Sequence, residues 1–315
     1  MAGKSVRALV TGGAGFIGSH LCDALLAAGQ DVICLDNLVT GRAANLEKAG
    51  ENSGFSMVDA DVTEPLDIEA DVIYHLASPA SPADYYAMPV KTMLANSLGT
   101  RNCLELAGRL GARLLFASTS EVYGDPQVSP QREDYFGHVN PIGLRSCYDE
   151  GKRFGEAICK AYVRERETDV VIVRIFNTYG SRMRPDDGRV IPNFIGQALT
   201  GEPLSVYGDG SQTRSFCHVS DMVRGLMLAM NSREAGGEVI NVGNPEEMRV
   251  IDLAARVREK IGTESPLVFE PLPQDDPMQR KPDITKAMKL LGWAPEVGLD
   301  KGLDDVISWF RSAGG

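Results

Sequence analysis

The stretch from Arg7 to Asp36 most limits what this chain can fold into. It opens with the apolar run 8–10 and continues through 11–18, which reads Thr-Gly-Gly-Ala-Gly-Phe-Ile-Gly. An amphipathic segment follows, and a second apolar run, 32–35, ends at Asp36. Two apolar runs separated by a glycine turn and an amphipathic segment predict a strand, a turn, a helix and a second strand.

The spacing of Gly12, Gly15 and Gly18 predicts a dinucleotide site. Glycines allow a tight turn and let the backbone approach a pyrophosphate, whose charge is stabilised by the N-terminus of the helix. Asp36 follows the turn by about 20 residues, where an acid binds an adenosine ribose. A glycine cluster alone is often only a turn, but two flanking strands and the acid favour the dinucleotide. An aspartate repels a 2′-phosphate, which favours NAD over NADP, although Arg42 keeps NADP open.

Composition excludes several classes of partner. The chain has 315 residues and a net charge of −11, and an acidic surface argues against nucleic acid and anionic membranes as partners. At this length the chain can bury a large core, and we expect two lobes. Residues Met1 to Ser5 lead directly into the first strand, and no signal peptide or membrane-length apolar run is visible. We therefore expect a cytoplasmic protein.

Cysteines and histidines lack the spacing of a metal site, so we expect no metal. The scattered cysteines favour reduced thiols in the core, and the histidines are expected to be structural. These residues are Cys22, Cys34, Cys103, Cys147, Cys159, Cys217, His20, His75, His138 and His218.

Strand-like and helix-like patterns alternate through the first half of the chain. After the first two strands, the patterns predict strands at 54–58, 71–76, 112–117 and 170–176, and helices at 90–110 and 148–166. Such alternation predicts an α/β fold with a Rossmann-type doubly wound parallel sheet, in which ligands bind beyond the carboxyl ends of the strands. We assign an NAD-binding domain to residues 1–176, with a returning strand near 238–243.

After Tyr179 the pattern changes, and residues 181–188 are predicted to form a loop. The remaining predicted helices are 190–199, 221–230, 250–261, 284–291 and 303–310, and the remaining predicted strands are 204–207 and 238–242. We expect residues 177–315 to form a smaller C-terminal α/β lobe that binds the substrate and is interleaved with the first domain.

Candidate chemistry lies where the fifth strand ends and the next long helix begins. Tyr148 and Lys152 are four residues apart and share one helix face. A lysine ammonium beside a phenol favours the phenolate and lowers a pKa that starts near ~10, so Tyr148 becomes a usable base. Thr119 can pass a hydrogen bond between a substrate hydroxyl and Tyr148. An exposed Tyr and Lys on a helix are common, but the dinucleotide turn upstream favours the catalytic interpretation.

Several strings resemble the extended short-chain dehydrogenase/reductase family, whose members act on nucleotide sugars. They are residues 11–18, Asp61-Val62, His75-Leu76-Ala77 and Tyr148-x-x-x-Lys152. Longer strings, at 75–82, 118–126, 140–143, 145–153, 206–210, 212–216 and 279–284, resemble the members that decarboxylate UDP-glucuronate. One departure is Ser181, where the family usually has Pro. The resemblance implies an NAD-dependent lyase that forms UDP-xylose by C4 oxidation, loss of CO2 and re-reduction.

A chemical argument supports this subfamily. In the related 4,6-dehydratases the residue after the threonine is an Asp, which protonates a leaving hydroxyl, whereas this chain has Ser120 before Glu121. A decarboxylase needs no such acid, because CO2 leaves without a proton. Glu121 and a bound water are candidates for protonating C5. Arg280 is the candidate for pairing with the substrate carboxylate, since a guanidinium binds a carboxylate in a bidentate way.

The resemblance implies further binding residues. For the cofactor they are Gly12, Gly15, Phe16, Ile17, Asp36, Asn37, Thr40, Gly41, Asp61, Val62, Leu76, Ala77, Asn96, Tyr148 and Lys152. For the sugar nucleotide they are Tyr85, Lys91, Asn177, Arg189, Val190, Phe194, Tyr207, Gln212, Arg214 and Arg280. Among these, Arg189 and Arg214, with Asn177, are candidate donors to the diphosphate.

Two alternative functions remain open: a nucleotide-sugar 4-epimerase or 4,6-dehydratase of the same fold, and a catalytically silent dinucleotide-binding regulator. The intact Thr119, Tyr148 and Lys152 argue against the regulator. The family resemblance also implies a homodimer through a four-helix bundle built from helices 90–110 and 148–166. Apolar residues that exceed what one sheet face needs are Met93, Leu94, Leu98, Ile158 and Val163.

Overall fold

The computed structural model describes residues 5–313, so the first four residues of the predicted N-terminal segment lie outside it. A seven-stranded parallel sheet forms its centre, in the order β3-β2-β1-β4-β5-β6-β11. Its strands are β1 Arg7–Thr11, β2 Asp31–Asp36, β3 Phe55–Asp59, β4 Val72–His75, β5 Arg113–Thr119, β6 Val170–Ile175 and β11 Val239–Val242. This order reverses between β1 and β4, which places the ligand crevice of a doubly wound fold at their carboxyl ends.

Helices cover both faces of the sheet. They are α1 Phe16–Ala27, α2 Glu47–Gly50, α3 Pro82–Ala87, α4 Pro89–Leu94, α5 Thr100–Leu110, α6 Ser146–Arg166, α7 Val190–Thr200, α8 Val219–Asn231, α9 Val250–Ile261, α10 Thr285–Leu291 and α11 Leu299–Ala313. One face packs on α1 and α8, and the other packs on α5 and α6. Strands buried on both faces are apolar over most of their length, which is why β5 and β6 contain the continuous apolar runs 114–117 and 170–173.

A smaller lobe follows Tyr179 and has its own apolar core between α7, α9 and α11. Its short strands are β7 Thr178–Tyr179, β8 Leu204–Tyr207, β9 Thr213–Ser215, β10 Cys217–His218, β12 Glu247–Arg249, β13 Leu267–Glu270 and β14 Gln279–Arg280. Strand β9 lies between β12 and β14 in a three-stranded sheet. Strand β11 returns to the main sheet beside β6, as the sequence predicts.

The predicted doubly wound α/β fold is confirmed, and most element bounds differ by only one to three residues. The predicted helix 90–110 is interrupted: α4 and α5 are joined by a π-helical segment, Ala95–Gly99. The predicted helix 303–310 is longer and begins at Leu299. The sequence patterns miss the strands of two or three residues and the four-residue β13, because so few positions carry no measurable periodicity.

Within residues 5–313, no helix combines the length and the apolar character needed to cross a membrane. In the same part of the chain, no group of three or more His, Cys, Asp or Glu side chains is arranged to hold a metal ion. The six cysteines are buried, with free thiols.

Candidate active site

A cleft of about 620 Å³ opens at the carboxyl ends of the central strands and extends into the smaller lobe. It contains nearly every residue that the sequence predicts for the site. The predicted residues that line it are Gly12, Gly15, Phe16, Ile17, Asp36, Asn37, Thr40, Asp61, Val62, Leu76, Ala77, Tyr85, Lys91, Thr119, Ser120, Glu121, Tyr148, Lys152, Asn177, Arg189, Val190, Phe194, Tyr207, Gln212, Arg214 and Arg280.

Two predicted cofactor residues, Gly41 and Asn96, lie behind the cleft wall instead of lining it. A Cβ at Gly41 would lie 2.8 Å from Asp36 Oδ1, so this glycine makes room for the acid. The Asn96 amide nitrogen donates to the Ser78 hydroxyl and the Thr92 carbonyl, each at 2.9 Å. Both residues therefore support the wall of the cleft.

The glycine turn has the shape that a pyrophosphate needs. Gly12 has a φ of +72°, and a Cβ there would lie 2.7 Å from the Ala77 nitrogen, so only glycine fits this position. Gly15 caps the N-terminus of α1 without a side-chain hydrogen bond, which leaves the first backbone N–H groups directed towards the cleft. The residues present therefore fit a dinucleotide.

Asp36 ends β2 at the edge of this turn. Its carboxylate accepts backbone hydrogen bonds from Ala14 (2.9 Å) and Leu38 (2.8 Å). Burial raises the pKa of Asp36, and these two hydrogen bonds act in the opposite direction. Arg42, which left NADP open, does not line the cleft and lies 3.9 Å from Asp186. The geometry thus favours a ribose without a 2′-phosphate.

Tyr148 and Lys152 lie on the cleft-facing side of α6. The Tyr148 ring stacks on Tyr85 with centroids 5.3 Å apart. The Lys152 Nζ donates to the Ala117 carbonyl at 2.8 Å and lies 5.9 Å from the centre of the Tyr148 ring. The predicted lowering of the Tyr148 pKa is not found: burial raises this pKa, and a hydrogen bond with Thr119 opposes the increase only in part. Burial also lowers the pKa of Lys152, to about 7.

Glu121 lies in a short 3-10 helix, Ser120–Tyr123, that follows β5 directly. Thr119 caps this helix: its hydroxyl accepts the Glu121 backbone N–H at 3.2 Å. Burial by itself would raise the pKa of Glu121, but the guanidinium groups of Arg280 and Arg145 outweigh burial and lower this pKa to about 2. Glu121 is therefore ionised at neutral pH.

Arg280 reaches the same segment from the smaller lobe. It lies in β14, next to Arg214 of β9, in the extended conformation that the sequence predicts. Its guanidinium donates to the Ser120 carbonyl and to Glu121 Oε2, the latter at 3.2 Å. Arg280 is only 1% exposed, so it is held in place at the point where the cleft meets Ser120 and Glu121.

Sequence reasoning misses three charged residues beside Glu121. The Arg145 guanidinium forms an ion pair with Glu121 and lies 3.7 Å from Asp276 and 4.0 Å from Asp149. Asp276 also accepts from Arg214 at 2.8 Å. Arg145 is three residues before Tyr148 and Asp276 is four before Arg280, so both lie within or beside the family-like strings, but only the fold brings them together.

Other predicted substrate residues lie at the smaller-lobe end of the cleft. Arg189 precedes α7, and its Nε and Nη2 form a bidentate pair with Asp187. Gln212 donates to the Tyr207 carbonyl at 2.8 Å, and its side-chain oxygen is buried without a partner. Lys91 is exposed on α4. Unpartnered polar atoms such as the Gln212 oxygen suit a polar ligand.

Comparison with protein families agrees with this site. Residues 8–243 match the NAD dependent epimerase/dehydratase family. The chain belongs to this family. The family resemblance and the NAD cofactor predicted from the sequence are thereby confirmed.

The chain is similar to two proteins that are both named UDP-glucuronic acid decarboxylase. The chain is 55% identical over 304 residues to UDP-glucuronic acid decarboxylase 1 of Danio rerio, which covers 96% of this chain and 72% of that protein. It is 55% identical over 309 residues to UDP-glucuronic acid decarboxylase 6 of Arabidopsis thaliana, and this alignment covers 98% of this chain and 90% of that protein.

Solved structures of this epimerase/dehydratase family have the same fold. The UDP-glucose 4-epimerase of Thermotoga maritima, solved with UDP-glucose, superposes with a TM-score of 0.90 at 30% identity and covers 98% of this chain and 100% of that chain. The UDP-glucuronic acid 4-epimerase of Bacillus cereus, solved with UDP-glucuronic acid and NAD, has a TM-score of 0.87 at 32% identity, covering 98% and 99%.

Proposed function

We propose that this protein converts UDP-glucuronate to UDP-xylose and CO2, with NAD as a recycled cofactor. The observation that carries the proposal is the arrangement of Ser120, Glu121 and Arg280 at one point of the cleft. Ser120 occupies the position at which a dehydratase needs an acid. Arg280, from the other lobe, is placed to pair with the C6 carboxylate of the substrate. The decarboxylase names of relatives at 55% identity support the same reaction.

The chemistry begins at the sugar C4. When bound, NAD supplies a positively charged ring that takes a hydride from C4 and later returns it. Tyr148 accepts the C4 hydroxyl proton, and Thr119 aligns the two oxygens. The C4 ketone makes the C6 carboxylate a β-keto acid, so the C5–C6 bond breaks and CO2 leaves while its electron pair forms an enolate. Overall, a hydrogen replaces the carboxylate at C5 and one proton is consumed.

Ionisation of Tyr148 needs positive charge nearby, because burial raises its pKa. Lys152 is the chain's own source of that charge, at 5.9 Å from the ring centre. Burial lowers the pKa of Lys152, so its ammonium supplies this charge only while it keeps its proton. Tyr148 gives its proton back to the C4 oxygen in the final reduction.

Glu121 cannot be the immediate acid at C5, since its two arginine partners keep it ionised. We propose that its carboxylate orients a water that protonates C5, and that the hydroxide left behind takes up from solvent the one proton that the overall reaction consumes. Arg280 pairs with the C6 carboxylate at the start, and then stabilises the negative charge that remains on the enolate after CO2 leaves. Arg280 thus stabilises negative charge that shifts from the carboxylate to the enolate during the reaction, and hydrogen-bond donors held in fixed positions stabilise such charge most effectively.

Each lobe is proposed to bind one ligand, NAD in the first lobe and the sugar nucleotide in the second. Residues 1–176 with β11 hold NAD on the glycine turn and Asp36, and Asn37, Asp61 and Val62 enclose the adenosine. The Asn37 amide donates to Asp61 at 2.9 Å, which fixes that wall. Residues 177–315 hold the sugar nucleotide, with Arg214 and Asn177 at the diphosphate and Val190, Phe194 and Tyr207 around the uracil and ribose.

One incubation tests the function. With NAD-loaded protein and UDP-glucuronate, we expect UDP-xylose and CO2 in equal amounts by mass spectrometry, without net reduction of NAD, because the same cofactor oxidises and re-reduces each substrate. A C4 epimer of the acid without CO2 would assign the protein to the 4-epimerases. NADH that accumulates in step with product would contradict recycling, and no conversion would favour the regulator.

We further propose that the protein works in the cytoplasm as a homodimer through helices α4, α5 and α6. Free buried thiols suit a reducing compartment. Met93 and Leu94 are exposed, as the sequence predicts for an interface, whereas Ile158 and Val163 pack partly against the sheet core and Leu98 is half-buried. Two further apolar residues on the same helices, Val90 and Phe154, are 70% and 48% exposed. A second copy that supplies the same surface would cover them.

Light scattering at micromolar concentration should therefore give twice the 34.0 kDa chain mass. The double substitution of Met93 and Phe154 by Glu should shift this mass to that of a monomer, because buried charges without partners are strongly unfavourable. The same change at exposed Phe269, which lies in β13 of the smaller lobe, is the control and should leave the mass unchanged. A wild-type monomer would exclude the dimer.

A further inference from the structure

Six charged side chains form a largely buried cluster between the segment that follows β5, helix α6 and the paired strands β9 and β14. Three are arginines and three are acids, and the arginines Arg280, Arg145 and Arg214 all act on Glu121. Its members are Glu121, Arg145, Asp149, Arg214, Asp276 and Arg280.

Two of the acids are paired closely with arginines. Glu121 contacts both Arg145 and Arg280. Asp276 accepts from Arg214 at 2.8 Å and lies 3.7 Å from Arg145. These contacts are what ionised carboxylates form in a buried site.

Asp149 differs from the other two acids. It is 5% exposed, and its nearest cation, Arg145 Nε, lies 4.0 Å from Oδ2, beyond a hydrogen bond. Its other oxygen, Oδ1, is buried with no partner. An ionised carboxylate that is buried in this way is strongly disfavoured, whereas a neutral carboxylic acid requires far less compensation.

We propose that Asp149 remains uncharged in the working enzyme and thereby leaves the cluster with one surplus positive charge, which selects the acidic sugar. The Arg214–Asp276 pair is neutral, so Arg145 and Arg280 then face the single carboxylate of Glu121, and the substrate carboxylate completes the balance. This inference rests on the proposed decarboxylation and extends it: Arg280 is already paired with Glu121, so the attraction for the carboxylate comes from the cluster as a whole. Asp149 does not line the cleft, so it acts as a positioning residue.

The groups around Asp149 agree with a neutral acid. Burial and the neighbouring Glu121 of the 3-10 helix raise the pKa of Asp149 to about 8, although Arg145 and Arg280 act in the opposite direction. Glu150 on its own helix acts in the same direction. Tyr85 of α3 also interacts with Asp149, as do Cys147 and Tyr148 of its own helix.

The charge balance holds through the reaction. Loss of CO2 leaves the electron pair of the C5–C6 bond on the sugar, so the enolate carries the negative charge that the carboxylate carried. The surplus positive charge that binds the substrate therefore also stabilises the intermediate. Protonation of C5 makes the sugar neutral, so the cluster again has a surplus positive charge. This charge favours replacement of the product, whose sugar is neutral, by another molecule of UDP-glucuronate.

Ionisation of Asp149 would cancel the surplus charge. Its pKa in the free protein lies near 8, and the substrate carboxylate raises it further, so affinity for an acidic sugar should be constant below this pKa and decrease above it by up to ~10-fold per pH unit. Binding of the acid should also take up a proton near pH 8. Affinity for a neutral sugar nucleotide should show neither effect.

The test compares UDP-glucuronate with UDP-glucose by titration calorimetry between about pH 6.5 and about pH 9.5. NAD-loaded protein with Tyr148→Phe is used, so that binding is observed without turnover. The expected result is a ratio of the two dissociation constants that favours the acid at neutral pH and declines above pH 8. Titration of the uracil affects both ligands equally and cancels in this ratio. Calorimetry in two buffers of different ionisation enthalpy should show proton uptake for the acid only.

Adding Asp149→Asn, which is permanently neutral, should remove both the decline and the proton uptake. Glu150→Gln on the same helix turn is the control and should retain both, because Glu150 pairs with Arg153 (3.5 Å) outside the cluster. A pH-independent ratio in the parent protein, or a decline that persists with Asp149→Asn, would overturn the proposal. CO2 release by the Tyr148→Phe protein would instead count against the proposed role of Tyr148, and UDP-glucose binding reports whether each variant is folded.

Discussion

Replacement of Tyr148 by Phe is expected to lower the turnover of UDP-glucuronate by ~100-fold to ~10,000-fold, the range that a positioned general base contributes. Phe retains the ring that stacks on Tyr85 at 5.3 Å, so the cleft wall should remain intact. What is lost is the oxygen that accepts the C4 proton. Stopped-flow measurement of NADH formation in a single turnover should show the loss at the first oxidation, with the Kd for the substrate nearly unchanged.

Tyr123→Phe is the matched control. Tyr123 is also fully buried, but it lies outside the cleft, and its hydroxyl donates to Asn241 at 2.7 Å. Loss of this hydroxyl leaves the buried Asn241 oxygen without its donor and removes an acceptor of Arg174. It should therefore destabilise the fold by about 1–3 kcal/mol and leave the oxidation rate near that of the wild type. If Tyr148→Phe oxidises C4 at a comparable rate, Tyr148 is not the base and another group must accept the proton.

The central fold could be predicted because local sequence specifies it. Each strand of a parallel sheet is buried on both faces, so β5 and β6 are marked by continuous apolar residues. The π-helical turn at Ala95–Gly99 could not be predicted, because one extra residue in a turn hardly disturbs the apolar pattern of a long helix. The strands of two or three residues in the smaller lobe depend on tertiary contacts and leave no pattern.

The residues of the site could likewise be predicted where local sequence specifies them, and not where distant segments meet. The sequence spacing within short motifs predicts the relative positions of Gly12 and Asp36, and those of Tyr148 and Lys152. The cluster around Glu121 was not predictable, since Arg145 and Asp276 are separated by most of the second half of the chain and meet at 3.7 Å only in the fold. The pKa of Tyr148 also departs from the sequence-based expectation, because i and i+4 spacing says nothing about burial.

Arg280→Ala is expected to weaken the use of UDP-glucuronate by about 30-fold to several thousand-fold in kcat/KM, because removing one partner from a buried, hydrogen-bonded charge pair costs ~2–5 kcal/mol. The variant removes a donor to the Ser120 carbonyl and one of the two cations on Glu121. Arg145 keeps Glu121 paired, so the segment after β5 should stay in place. Binding of UDP-glucose, which has no carboxylate, should change by less than about threefold, within the ~0.5 kcal/mol of a neutral substitution.

Arg214→Ala provides the comparison that separates a carboxylate role from a diphosphate role. Arg214 is the register partner of Arg280 on the neighbouring strand and is also largely buried, but its guanidinium pairs with Asp276. If Arg214 serves the diphosphate, its loss should weaken UDP-glucuronate and UDP-glucose by similar factors, because both ligands share that group. Equal losses for both ligands in Arg280→Ala would move Arg280 to the diphosphate or to the fold. The acid-specific loss would then have to come from Arg145, the other guanidinium in contact with Glu121.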